Sequence, residues 1–429
     1  MVKREILVNF FKQFNNPFVI CVLLCVFFFY GLKIPVRNVN KFHTLCTLEE
    51  IISITGEISS NPVKNFENHS YSFFIDCVEC MSYNGAIFSA YGKIKVFISE
   101  EIAESFFPEK LYSSSNKNTV LFEKNEKIIA KGKITGNIFS VTECKNVKQK
   151  GIFYSVNRIR SLSRLHFRRL MYYWKDAGFL FLALLSGIKD YVAPEINEAF
   201  KKAGLSHILA LSGMHLSIFT GLSLKIFSIF FSNKKRNETI SLGFQFIIIL
   251  VFLWFAGVSP SLFRAFLCSL FVILCKLLKI RNVNQLYVLS LSFLLHIIIF
   301  PSDLYSLAFI FSYGALSGIL IFSKPVSSFF SHVLPFKLSE NLSSSFSAQI
   351  ISCPIQLYNF KSFSPSGIIA TLIISPLITI FIYLGLFLFL LNFIFPFISE
   401  YGVFLMNFLY NIIEKTVSFF AEFPIIQIR

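Results

Sequence analysis

Residues 244–280 read FQFIIILVFLWFAGVSPSLFRAFLCSLFVILCKLLKI. Two apolar runs flank the break Gly257-Val258-Ser259-Pro260, each close to the roughly 20 residues that cross about 30 Å of hydrocarbon as a helix. Outward from this pair the pattern recurs. Hydrophobic segments lie at about 178–189, 205–231, 240–258, 260–281, 284–300, 304–323, 342–360, 366–395 and 400–423. The Gly178–Ile188 segment, with 11 residues, is too short to cross and reads as re-entrant or interfacial. Pro376 is expected to kink or split the 366–395 stretch, and Pro354 to break the one before it. About seven to ten spans are expected in all.

Composition agrees with the spans. Of 429 residues 54% are hydrophobic and 15% charged, against the roughly 25% charged of soluble domains; mean hydropathy is +0.64. The net charge of +16 is unevenly placed: +4 over 1–40, zero over 41–150, +9 over 151–236 and +3 over 237–429. A basic excess beside a membrane can hold anionic headgroups, fix topology or attract a polyanion.

The first segment, 1–40, carries Lys3, Arg4 and Lys12 ahead of PFVICVLLCVFFFYG. It lacks a small-residue cleavage site and reads as an uncleaved span with a cytoplasmic N-terminus, leaving the next domain extracytoplasmic. If the Gly178–Ile188 segment does not cross, Lys234, Lys235 and Arg236, and likewise Lys276, Lys279 and Arg281, fall inside.

From 41 to 153 the text changes to short runs of strand-like alternation, such as Ile52, Ile54, Gly56 and Ile58, separated by turn-rich SSNPVKNFENHS and SSSNKN. A small β-barrel or sandwich of four or five strands is expected, with an OB-like barrel the first reading. Residues 154–176 then place Arg158, Arg160, Arg164, Arg168 and Arg169 among apolar and aromatic residues. As a helix this is basic and amphipathic, suited to lie in the headgroup plane, with its arginines on lipid or on a DNA backbone. The remainder, 177–429, is the multi-span domain.

Cys21, Cys25, Cys268, Cys275 and Cys353 lie in apolar stretches and read as small hydrophobes. Cys46, Cys77, Cys80 and Cys144 fall in the β domain, where one or two disulfides or a zinc site are open readings; only Cys77 and Cys80 form a CxxC.

Polar residues inside the spans carry the functional signal. His207, Ser212, Gly213 and His215 interrupt an otherwise lipid-compatible helix, with Ser212 and His215 at i and i+3 on one face. Such groups line a wet path or pack helices through small residues. In Ser259-Pro260-Ser261-Leu262-Phe263-Arg264 the serine and proline start a helix, and Arg264 sits one turn inside it. There it contacts a phosphate, stabilises a loop or snorkels to lipid. Gln349, Ser352, Pro354 and Gln356 tint another span, and His296 and Asp303 bracket a helix end, where they read as interfacial. No Walker loop, HExxH or GxSxG occurs.

At three of these blocks the sequence resembles the ComEC-type competence proteins, membrane channels for DNA internalisation. They are 184–222, with its H-x-L-A-x-S-G-x-H run at His207–His215; 256–278, AGVSPSLFRAFLCSLFVILCKLL; and 348–380, AQIISCPIQLYNFKSFSPSGIIATLIISPLITI. Residues 50–140 are similar, more weakly, to that family's extracytoplasmic OB-like domain. The resemblance implies a polytopic α-helical membrane protein of the cytoplasmic membrane with an N-terminal β-barrel, passing single-stranded DNA during natural transformation. It also implies work with membrane lipids, a separate DNA receptor, a nuclease and a cytoplasmic ATP-driven motor. The chain stops near the end of the competence region, so a short form without the metallo-β-lactamase-like domain, with no catalytic residue, cofactor or metal of its own, is expected. The residues expected on the path are His207, Ser212, Gly213, His215, Arg264 and Gln349. A repurposed member carrying another solute or lipid is the alternative, and a membrane enzyme using Ser212 with His215 a third reading.

Overall fold

The protein is described by a computed structural model over residues 17–26, 42–65, 68–99, 101–102, 122–147, 151–230, 237–280, 282–394 and 398–427. Lys3, Arg4, Lys12, Lys234, Lys235, Arg236 and Arg281, on which the topology reading leans, lie outside the described residues. The chain divides into two units, one spanning Arg37–Tyr172 and the other holding the remaining helices.

In the first unit, strands β1 (Ile51–Ile58), β2 (Ser70–Ser82), β3 (Lys93–Ser99), β4 (Lys127–Thr135) and β5 (Ile138–Asn146) close into a barrel. β1 pairs β2 and β4, β2 pairs β3, β4 pairs β5, and the parallel β3–β5 pair completes the circuit. That arrangement is the five-stranded OB type expected from the alternation. Inward residues at every second position, among them Ile54, Ile75, Val96, Ile128 and Phe139, form one buried core. The ladder shifts register at Thr55/Gly56 and at Lys131/Gly132. A side chain at either glycine would strike the carbonyl of Asp76 or Ser140, so these bulges, which coil the strands into closure, need glycine.

Helix α2 (Ile152–Tyr172) belongs to this unit. Its basic face is turned inward. Arg160 and Arg164 are buried, while Phe153, Val156, Ile159 and Leu162 are exposed. Glu123 and Glu126, just ahead of β4, are the reason. Arg164 Nε donates to Glu123 Oε2 at 3.0 Å, Arg168 Nη2 to Glu123 Oε1 at 2.8 Å, and Arg158 approaches Glu126 at 3.7 Å. Two buried carboxylates need cations, and the helix supplies them. Arg160 and Arg164 therefore do not offer the outward lipid or DNA contact expected of them, whereas the apolar stripe does face outward.

The second unit is helical: α1 (Pro17–Val26), α3 (Lys175–Ser186), α4 (Pro194–Lys202), α5 (Ser206–Leu209), α6 (Gly213–Phe230), α7 (Asn237–Ala256), α8 (Pro260–Leu277), α9 (Gln285–Ile299), α10 (Leu307–Phe330), α11 (Phe336–Phe360), α12 (Gly367–Ile394) and α13 (Ile398–Ala421). Among the described residues four helices are long and apolar enough to cross a membrane: Thr239–Ala256, Pro260–Leu277, Leu307–Phe330 and Gly367–Leu391. Large side chains such as Ile247, Val251, Ile298, Phe387 and Leu390 stand exposed on this unit, as a lipid-facing surface requires. The chain is a polytopic membrane protein with an N-terminal β-barrel.

Three expectations about these helices are corrected. The short segment at 178–188 forms α3, whose residues from Leu180 to Ser186 are all buried, so protein rather than lipid or headgroups surrounds it. Pro354 and Pro376 lie inside α11 and α12, which continue through them, so neither stretch is split; proline is tolerated within a membrane helix where its surroundings can meet the freed carbonyl. The 205–231 stretch, read as one span, breaks instead at Ala210–Ser212, between α5 and α6.

Candidate functional site

The break at Ala210–Ser212 has a local cause. Ala210 adopts an extended backbone (φ −81°, ψ 136°), ending α5 after four residues. Ser212 then stands at the head of α6, where His215 Nδ1 lies 3.3 Å from both the Ser212 backbone nitrogen and its Oγ. A side chain three residues in, accepting from the backbone N–H at the helix head, is one half of a capping box. The i, i+3 spacing of Ser212 and His215 thus starts the helix. With Nδ1 as acceptor, the neutral imidazole carries its hydrogen on Nε2, which is buried and has no hydrogen-bond partner among the described residues.

A second helix starts beside it. Ser259 Oγ accepts from the Leu262 N–H at 3.3 Å and Pro260 occupies the first turn, so α8 begins where the sequence placed it. One turn in, the Arg264 guanidinium rests against Gly213: a Cβ added there would lie 3.2 Å from Arg264 Nη2 and 3.4 Å from the Ala265 Cβ. Glycine at 213 therefore lets α8 approach the head of α6.

Among the described residues Arg264 forms no ion pair and no hydrogen bond, and its Nε is buried without a partner. Its electrostatic neighbours are Cys268 and Tyr313. A guanidinium has five N–H donors; Arg264 is half-buried, and leaving its enclosed Nε–H unused is costly. The α6 head adds unpaired backbone N–H groups and the positive end of a helix dipole. Arg264 thus stands against Gly213 at the head of α6, and a helix start is a setting that receives an anion.

The remaining expected residues lie elsewhere. His207, on α5, is exposed, and its ring faces the Gly204 backbone. Gln349, on α11, has a buried Oε1 without a partner among the described residues; Ser347 on the same helix shares that property, and among these residues no hydrogen bond joins either to the Ser212–His215 pair. His296 and Asp303 are not merely interfacial: the His296 side chain is fully buried and pairs with Asp303 at 3.1 Å. Sequence spacing gave no sign of this pair, because a turn between two helices brings it together. For a serine nucleophile, Ser212 has its imidazole, but no carboxylate orients His215 among the described residues. No group of three or more metal-ligating side chains occurs among them either.

In the β-barrel, Cys77 and Cys144 are buried, and desolvation pushes both thiols up to about 12. They behave as hydrophobic core.

Residues 184–429 match the family model described as Competence protein. The chain is similar to ComE operon protein 3 of Bacillus subtilis, with 31% identity over 205 residues, covering 48% of this chain and 25% of that protein. It is also similar to Recombination protein 2 of Haemophilus influenzae, with 24% identity over 250 residues, covering 54% of this chain and 31% of that one. The matched region thus spans about a quarter to a third of the length of these curated relatives. No solved structure matches significantly. Ser212, Gly213, His215 and Arg264 all lie inside the family region.

Proposed function

The chain belongs to the Competence protein family, and from that premise we propose that it passes single-stranded DNA across the cytoplasmic membrane during natural transformation. The observation that carries this reading is Arg264, a cation without an acceptor among the described residues, held against Gly213 at the head of α6. A phosphodiester supplies the acceptor that those donors lack, and a backbone with one charge per nucleotide presents it at each step. In this reading Ser212, Gly213, His215 and Arg264 form the contact point, while His207 and Gln349 line the path on either side. The β-barrel lies outside the membrane, the N-terminus inside, and a receptor, a nuclease and an ATP-driven motor are separate proteins. The chain acts as a conduit.

Uptake of labelled DNA into cells producing Arg264→Gln, with membrane abundance measured alongside, tests the reading. Charge-assisted hydrogen bonds contribute about 1.5–3 kcal/mol each, so uptake should fall roughly ten- to a hundredfold at unchanged abundance. Unaltered uptake would remove Arg264 from the path. Failure of the unaltered protein to support any uptake in a transformable host would favour a family member that carries another solute or lipid.

A further inference from the structure

Helix α2 carries five arginines, Arg158, Arg160, Arg164, Arg168 and Arg169, and no acidic residue of its own. The barrel answers with two carboxylates. Arg158 approaches Glu126, while Glu123 spends one oxygen on Arg164 and the other on Arg168. Arg160 is left over. It is only 8% exposed, among the described residues it forms no ion pair and no hydrogen bond, and its Nε is sealed from solvent.

Spacing sharpens the shortage. Arg160, Arg164 and Arg168 stand at i, i+4 and i+8, in one row on the barrel-facing side of the helix, where like charges a turn apart repel. Burial, and after it the neighbouring Arg164, hold the Arg160 guanidinium below its usual pKa, with Glu123 a partial offset. The group keeps its charge nonetheless. An enclosed cation without a counter-charge is costly. The helix does not relieve that cost by turning Arg160 outward, because Glu123 holds Arg164 and Arg168 of the same row.

We infer that Arg160 anchors a binding site for a small oxyanion of the phosphate class, enclosed on the barrel-facing side of α2 with Arg164 one turn away. The chemistry selects this class. The Nε–H and adjacent Nη–H of a guanidinium form a planar fork that pairs with two oxygens of one oxyanion, and a doubly charged tetrahedral ion keeps further oxygens for a second cation. A halide offers that fork no second acceptor atom. Size follows from enclosure, since so covered a side chain admits a free ion and not a macromolecule. The site is independent of Arg264 and of DNA passage. Helix α2 ends at Tyr172, where the chain leaves the barrel unit for the helical one, so a bound ion sets how firmly the barrel holds the segment that joins them.

Hydrogen exchange of the full-length protein in lipid-free detergent, read by mass spectrometry over Ile152–Tyr172, tests the site, with inorganic phosphate as the probe and chloride at matched ionic strength as the control. Phosphate should slow exchange in α2 saturably, roughly tenfold at ten times its Kd, because opening must wait for release. Chloride should not. Phosphate also stabilises proteins in general by exclusion from their surfaces, so slowing spread evenly over the helical unit would overturn the site. Arg160→Met separates the readings by sign. Without phosphate it removes an uncompensated cation and should leave α2 exchanging no faster than wild type, and added phosphate should then change nothing. Faster exchange of Arg160→Met in phosphate-free buffer would mean that the chain already supplies an acceptor, and equal protection of the variant by phosphate would mean that the ion binds elsewhere; either result overturns the proposal. Protection by vesicles containing phosphatidic acid, with none from inorganic phosphate, would overturn the enclosed site in favour of a lipid headgroup.

Discussion

Gly213 touches Arg264 so closely that a methyl group on the glycine would stand 3.2 Å from the guanidinium nitrogen Nη2. The contact joins the heads of α6 and α8, and with them the two sequence breaks at 210–212 and 257–259. Gly213→Ala asks Arg264 to give way by a few tenths of an ångström, and Gly213→Leu displaces it altogether. Uptake should fall modestly in the first variant and to background in the second, both at wild-type membrane abundance. Full activity of Gly213→Leu would show that the position of Arg264 is immaterial.

The Ser212–His215 cap separates a helix-starting role from a path role. His215→Ala removes the acceptor of the Ser212 N–H and should destabilise the head of α6 by about 1 kcal/mol, the usual size for a lost cap. His215→Gln keeps an acceptor at the third position, as a capping box allows, and should leave stability near wild type. If the imidazole Nε2–H also meets substrate, His215→Gln will lower uptake without lowering the temperature of irreversible unfolding in detergent. Equal loss of both properties would reduce His215 to a cap.

Glu123 takes two arginines of α2, and its ion pair with Arg164 is almost completely enclosed, with side-chain exposures of 6% and 0%. Removing one partner of a buried pair strands the other charge, at a cost of about 3–5 kcal/mol. Glu123→Gln should therefore make the barrel unit sensitive to limited proteolysis at temperatures where the wild type resists. A variant as resistant as wild type would mean that water reaches Arg164.

Cys77 and Cys144 give a pH dependence of known sign. Burial raises both thiols from the ordinary 9.0 to about 12 in the folded barrel. The unfolded chain loses these protons first, so their contribution to stability is intact below pH 9 and declines between 9 and about 12. Barrel stability should drop over that window, and Cys77→Ala with Cys144→Ala should flatten the decline, as followed by proteolysis against pH. At neutral pH a thiol-alkylating reagent should label neither cysteine until the protein is denatured. Rapid labelling of the native protein would contradict their burial.

The helix starts and the barrel were legible for local reasons. Ser259 and Pro260 announce α8 because capping is a matter of adjacent residues. Alternation at Ile52–Ile58 announces a strand because its two faces meet different surroundings. Pro354 and Pro376 misled because the price of a freed carbonyl is set by neighbours that a one-dimensional reading does not contain. The arginines of α2 misled for the same reason, since Glu123 lies 41 residues from Arg164 in sequence and touches it in space.

By itself the sequence determined the solvent of the long apolar runs and the class of the β domain. Apolar runs of spanning length demand lipid, and alternating runs with glycine bulges demand a small closed barrel, because both follow from transfer free energy and backbone hydrogen bonding within a few residues. Only the tertiary structure decided which charges have partners. Arg164 meets a carboxylate, His296 meets Asp303, and Arg264 reaches the head of α6 with its donors unused, since pairing depends on distances between segments that no local pattern encodes.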